Sequence, residues 1–160
     1  MKLVKSNRHY FIMLLIILIH GSIDAQVKYK SVKDNTYVFD ESNCVVYNNN
    51  LKETDAAHKI VSEGFQVQKN TIVNDIFKET LSTQRLQDLK GEKMAVTFEC
   101  DTKGKVENVK FVFTKTPFLT PAEIHTLETK LLSKTFTIKT ELNSVRIRFS
   151  IPCFFSKLIE

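Results

Sequence analysis

Alternation of apolar and polar residues is clearest in the last third of the chain. Apolar side chains occupy every second position from Val145 to Cys153, the period of a strand with one buried face. The same pattern runs from Met94 to Cys100 and from Val109 to Phe113. Between these two runs, Asp101-Thr102-Lys103-Gly104 has the residue order of a type I turn that ends in a left-handed residue. The pattern predicts a hairpin and a later third strand.

A helix is predicted between the hairpin and the last strand. Thr120-Pro121-Ala122-Glu123 combines a capping box with proline at the first helical position. Ile124, Leu127 and Leu131 then form one apolar face. If the helix returns the chain to its starting end, the strands lie in the spatial order second, first, third, because the last strand then pairs with the first. The last strand is therefore expected at an edge of the sheet.

The pattern before residue 90 is looser. Three short strands are predicted there, at Val27–Val32, Thr36–Phe39 and Cys44–Tyr47. One helix through Ser62 is predicted with Thr54 or Asp55 as its cap, and a second helix is predicted to begin at Asn70 or Thr71. The expected fold class is α+β. It consists of a C-terminal β-β-α-β unit with a mixed three-stranded sheet packed on a helix, preceded by short strands and one or two helices.

The first 25 residues have the pattern of a secretory signal. Lys2, Lys5 and Arg8 precede an apolar block of ten residues, whereas a membrane-spanning helix needs about 20. Residues 22–26 then offer a cleavage site after Ala25. We expect a periplasmic or secreted protein whose mature chain, residues 26–160, is one domain without a membrane-inserted segment. An uncleaved anchor is the alternative.

Charge and cysteine content limit the candidate chemistry. The mature chain keeps 20 Lys and Arg against 17 Asp and Glu, and its lysines are scattered without neighbouring aromatic residues, so nucleic acid is not an expected partner. Cys44, Cys100 and Cys153 allow three single disulfides in an oxidising compartment, or remain buried and unpaired. Their spacing and the two remaining histidines, His58 and His125, match no metal pattern. No metal or cofactor is expected.

Residues 91–155 resemble the C-terminal domain of the TonB family. The resemblance rests on Gly91, Val96–Val106, Val109–Val112, Leu119-Thr120 and Arg146–Pro152. The chain differs from TonB proper in having no long proline-rich spacer, since its only three prolines lie after residue 116. The resemblance implies a binding fold in the cell envelope, in which the exposed last strand receives an extended peptide as an added strand.

The candidate peptide-binding residues are those of the last strand. They are Val145, Arg146, Ile147, Arg148, Phe149 and Ser150. The two arginines project from one face, where they either grip an acidic peptide or pair with Glu99 and discourage aggregation of the edge. Proline at Ile147 is expected to remove a donor from this edge.

No catalytic constellation accompanies these elements. The sequence has no Gly-x-Ser-x-Gly elbow, and Cys100 and Cys153 point inward, so no nucleophile stands beside a base. The expected function is a non-enzymatic module that binds an envelope protein or extended peptide. Two alternatives stay open: an anchored component of a TonB-like transport system, and a small-ligand or hydrolytic protein with a site between the N-terminal part and the sheet.

Overall fold

The computed structural model of this chain describes residues 27–51, 59–68 and 71–159. The predicted signal, residues 1–25, lies outside them. The strands are β1 Val27–Val32, β2 Asn35–Asp40, β3 Val45–Asn48, β4 Ile60–Val61, β5 Phe65–Val67, β6 Lys93–Cys100, β7 Val106–Phe113, β8 Ile138–Thr140 and β9 Arg146–Phe154. The helices are α1 Ile72–Thr80, α2 Thr83–Asp88 and α3 Pro121–Leu132, and a 3-10 helix covers Phe155–Leu158.

Seven of these strands form one mixed sheet in the order β1-β2-β3-β7-β6-β9-β4. Its pairs are antiparallel except for β4 and β9, which run parallel. A second sheet contains only β5 and β8. The α+β class is confirmed, and so is the predicted order of the three C-terminal strands, β7-β6-β9. The N-terminal strands β1 to β3 extend the same sheet beyond β7.

The helices pack on one face of the sheet. Ile124, Leu127 and Leu131 of α3 are fully buried, as the helical spacing predicted. On the same side of the sheet, the rings of Phe98 and Phe136 lie 4.8 Å apart at their centroids, and Phe149 lies 5.4 Å and 5.1 Å from them. This helix-covered face holds the core. The opposite face, called the open face below, carries the alternate residues of the strands.

The hairpin turn between β6 and β7 is the one that the sequence predicts. The Gly104 N–H donates to the Asp101 carbonyl at 3.0 Å, and Gly104 has a φ of +85°. A Cβ at Gly104 would lie 1.8 Å from the carbonyl oxygen of Phe136, so the site excludes every side chain. Because Gly104 has no side chain, the segment after α3 packs directly against the hairpin turn.

The start of α3 is also as predicted. The Thr120 hydroxyl accepts from the Glu123 N–H, and the Glu123 carboxylate accepts from the Thr120 N–H at 2.7 Å, which completes the capping box. Glu123 also pairs with Arg85 of α2 at 2.8 Å. Burial raises the pKa of Glu123. Its hydrogen bonds with the Arg85 guanidinium and the Thr120 N–H outweigh this effect and lower the pKa overall.

Three parts of the sequence interpretation differ from the structure. The prediction of a helix through Ser62 is wrong at Ile60 and Val61. These two residues form β4 because their backbone pairs with β9. The rest of the predicted helix, up to residue 58, lies outside the described residues. Residues 135–143, which the pattern left unassigned, contain β8. The helix α2 was not predicted, although Ser82 caps it by accepting from the Arg85 N–H.

Candidate binding edge

The outer edge of β9 is covered over its first two residues. β4 pairs there in parallel, with Ile60 opposite Arg146 and Val61 opposite Ile147. The Arg146 N–H donates to the Lys59 carbonyl at 3.0 Å. The expectation of an edge that is free from residue 145 onward is therefore wrong at Arg146 and Ile147, because the chain's own N-terminal part occupies them.

From Phe149 to Phe154, no described strand pairs with the outer side of β9. The register with β6 is unbroken from Ile147 to Phe154, so backbone groups alternate in direction along it. Since the Arg146 N–H points outward, those of Arg148 and Ser150 point outward as well. The nitrogen of Pro152, two residues after Ser150, also points away from β6. Because no hydrogen bond to β6 is needed there, β9 tolerates a proline, which has no N–H. The pairing of Val61 with Ile147 in a parallel ladder uses the outward N–H of Arg148, which donates to the Val61 carbonyl, so the first outward N–H beyond β4 is that of Ser150.

The alternate residues of β9 face inward. Ile147 is fully buried, and Phe149 packs in the aromatic cluster with Phe98 and Phe136 and also lies 6.4 Å from the Phe65 ring. The same alternation directs the Ile147 N–H toward β6. Proline at Ile147 would therefore break the sheet itself, and the expectation that it removes an edge donor is wrong.

Ion pairs hold the two arginines of the candidate site. Arg148 Nη2 and Nε lie 2.7 Å and 3.1 Å from Glu99 Oε1, which confirms the expected pairing across β6 and β9. Arg146 instead pairs with Glu107 at 3.0 Å. Burial raises the pKa of Glu99, but Arg148 and Lys110 outweigh this effect and lower the pKa overall. The cross-strand pair fixes Arg148 on the open face.

The remaining two candidate residues differ in their accessibility. Ser150 is exposed, and its hydroxyl lies 2.8 Å from that of Thr97 on β6. Val145 is half-buried and precedes the strand. The structure therefore leaves the backbone of Ser150 and the side chain of Arg148 accessible, whereas Arg146, Ile147 and Phe149 are held by packing or pairing.

A buried polar cluster that the sequence did not reveal joins β2 and β3 to α3. The Tyr37 hydroxyl donates to Glu128 Oε2 at 2.7 Å and lies 3.0 Å from His125 Nδ1. The Asn48 amide donates to the same Glu128 oxygen at 2.9 Å, while Glu128 Oε1 has no described partner. Burial raises the pKa of Glu128, and burial together with the Glu128 carboxylate raises that of Tyr37.

One signal in the sequence could have identified Glu128. It lies four residues after Ile124 and three before Leu131, on the apolar face of α3. A carboxylate at such a position is expected to be buried and to need a partner from another element. His125, the next residue after Ile124, is partly exposed and contacts the Tyr37 hydroxyl through its ring.

The cysteines form no disulfide, and burial raises the pKa of both Cys100 and Cys153 to about 12. These two cysteines lie near opposite ends of the β6–β9 pair, with Cys100 opposite Ile147 and Cys153 opposite Met94. Neither thiol is therefore reactive. Among the described residues, no group of His, Cys, Asp and Glu side chains has the arrangement of a metal site.

No helix in the described part of the chain is both long and apolar enough to cross a membrane. No family model matches the sequence, and no curated protein does. Among solved structures, the chain is similar to a DUF5043 family protein from Bacteroides uniformis, with a TM-score of 0.62 and 18% identity, over 85% of this chain and 96% of that one. At this identity the similarity concerns the fold alone.

Proposed function

We propose that this chain is an exported cell-envelope protein that binds an extended segment of another envelope protein through the free part of the β9 edge. The bound segment pairs with the backbone of β9 from Ser150 onward as an added strand. Affinity comes from backbone hydrogen bonds, and selectivity comes from the side chains on either face. The function involves no chemical reaction.

The pairing of β4 with β9 is the observation that carries the proposal. A segment of only two residues already adds to this edge, which supports an edge that accepts a strand. The Arg148 N–H donates to the Val61 carbonyl in this pairing, and no described strand lies opposite the next outward N–H along β9, that of Ser150. A strand that continues the line of β4 would supply an acceptor to Ser150. The resemblance of residues 91–155 to the TonB C-terminal domain, a fold that binds peptides by strand addition, supports the same site.

Two substitutions at Ser150 test the proposal. A peptide selected on the wild-type protein from a random display library is titrated against Ser150→Pro and Ser150→Ala by fluorescence anisotropy. Proline removes the outward N–H, whereas alanine keeps it and removes only the hydroxyl. We expect Ser150→Pro to weaken binding at least tenfold and Ser150→Ala to leave it nearly unchanged. Equal affinity for both variants would contradict edge pairing.

Export is a separate part of the proposal and has its own test. The charged start, the short apolar block and the site after Ala25 support cleavage by a signal peptidase. N-terminal sequencing of protein recovered from the periplasm or the medium is expected to begin at Gln26. A recovered chain that retains Met1 and sediments with membranes would favour an anchored protein instead.

A further inference from the structure

The open face of the sheet contains a cavity that strand addition does not use. It has a volume of about 780 Å³ and lies between the end of β3, the turn after β2, and the strands β7 and β9. Tyr47, Asn108, Lys110 and Arg148 line it, together with Asp40. This volume is within the range of sites for one small organic molecule.

Two cations share a single carboxylate at this cavity. The Glu99 side chain is 3% exposed. Its Oε1 atom lies 2.7 Å from Arg148 Nη2 and 3.6 Å from Lys110 Nζ. The three side chains therefore leave one positive charge without compensation in a partly buried place, an arrangement that favours a second anion. Lys110 and Arg148 keep side-chain exposures of 23% and 39%, so both remain accessible to a ligand.

Asp40 does not supply that second anion. Its carboxylate accepts from the backbone and side chain of Ser42 and of Asn43, all within its own turn. These hydrogen bonds, with the Asn43 side chain as the largest contribution, lower the pKa of Asp40. Within the described ranges, Asp40 forms no ion pair with Lys110 or Arg148. The excess positive charge thus remains at the β7 and β9 side of the cavity.

A neutral acceptor lies beside the two cations. Asn108 is 5% exposed, and its amide nitrogen turns toward Glu99 Oε2 at 3.4 Å. Its amide oxygen accepts no hydrogen bond from any described residue, and it is not among the fully buried unpaired atoms, so it remains accessible to solvent. A hydroxyl group of a ligand would donate to this oxygen. The site therefore combines a place for a carboxylate with a place for a neighbouring hydroxyl.

We propose that this open-face cavity binds a small hydroxylated carboxylate of the sugar-acid class. The carboxylate lies between Lys110 and Arg148, a hydroxyl donates to Asn108, and Tyr47 forms the wall beside the carbon skeleton. Charged hydrogen bonds from two cations provide most of the affinity. This site is independent of the proposed strand addition, since it uses side chains on the open face and no edge N–H group.

The test compares three probes by two-dimensional NMR on the 15N-labelled protein. D-glucuronate is the candidate, D-glucose has the same ring and hydroxyls without the carboxylate, and acetate has the carboxylate without the ring. We expect glucuronate to shift the amide signals of Tyr47, Asn108, Lys110 and Arg148 in a saturable manner. Glucose and acetate are each expected to bind at least tenfold more weakly. Equal binding of glucose, equal binding of acetate, or no shift with glucuronate up to about 10 mM would overturn the proposal.

Three variants sharpen this test. Lys110→Gln is expected to weaken glucuronate binding about tenfold, whereas Lys139→Gln, the same change at an exposed position of β8, leaves it unchanged. Glu99→Gln removes the competing carboxylate and is expected to strengthen binding several-fold. Weaker binding by Glu99→Gln with an intact NMR spectrum would contradict the charge argument, as would equal effects of the two lysine variants.

Discussion

The two ends of the sheet are attached to the helical layer by different chemistry. At the β6-β9 end the contact is aromatic and apolar, with Phe98, Phe136 and Phe149 in mutual contact. At the β2-β3 end, Tyr37 and Asn48 approach Glu128 of α3 through hydrogen bonds to a single carboxylate oxygen. The contribution of apolar packing to stability does not depend on pH, whereas that of a buried carboxylate does. The comparison indicates one end whose attachment is independent of pH, which carries the proposed binding edge, and another end whose attachment depends on protonation.

The largest expected effect belongs to the aromatic end. Phe136→Ala removes a fully buried ring that contacts both Phe98 and Phe149, and we expect a loss of about 4 kcal/mol in the free energy of unfolding. Urea unfolding followed by circular dichroism measures it. The loss is expected to be the same at pH 5 and pH 8. A loss below about 1 kcal/mol would show that these rings do not hold the β6-β9 end together.

The turn that supports this end is expected to come next. Gly104→Ala places a Cβ against the Phe136 carbonyl in a left-handed conformation, with an expected cost of about 3 kcal/mol. Thermal unfolding measures the change. Gly91→Ala is the matched control, because a Cβ there meets nothing within 4 Å and Gly91 is not at a positive φ. Similar melting temperatures for the two variants would contradict the described geometry of the turn.

At the polar end a smaller effect is expected. Tyr37→Phe removes the hydroxyl that donates to Glu128 and leaves the fully buried ring in place. Because the carboxylate then keeps only the Asn48 amide, we expect a loss of about 1 to 2 kcal/mol near neutral pH. Chemical unfolding of the two proteins in parallel gives this value. A stabilised Tyr37→Phe protein would show that the hydroxyl is not paired as described.

The pH dependence of stability is the most subtle difference between the two ends. The pKa of Glu128 is raised in the folded state, so its contribution is present below the unfolded value of about 4.3 and is lost as the pH rises through the folded value. Glu128→Gln, which mimics the protonated form, is expected to flatten the fall in unfolding free energy above pH 4.5. Glu99 and Glu123, whose pKa values are lowered, act below that range. An unchanged slope in the variant would contradict a raised pKa at Glu128.

Local sequence signals predicted the C-terminal unit because each of its elements has a strong one. The period-two runs, the Asp101–Gly104 turn and the Thr120 capping box are short-range features that do not depend on the rest of the fold. The predicted strand order also followed, since a single helix limits how the third strand can return. These signals predicted the helix-covered face and, as one of two alternatives, a contact of Glu99 with an arginine of the last strand, which the structure shows to be Arg148.

The sequence pattern did not predict contacts between residues that lie far apart in the chain. Ile60 and Val61 form a strand only because β9 lies beside them, and no periodicity can develop in two residues. The buried cluster around Glu128 depends on three elements far apart in the chain, so its partners could not be named in advance. For the same reason, the division of the β9 edge into a covered and a free part appeared only in the structure.

Amide hydrogen exchange along β9 tests the central claim most directly. The protein is measured by NMR alone and with a saturating peptide selected on it. The account predicts that the Ser150 N–H exchanges rapidly in the free protein and becomes protected by the peptide, while the N–H groups of Ile147 and Phe149, which face β6, are protected in both states. Protection of the Ser150 N–H in the free protein, or no change on binding, would contradict it.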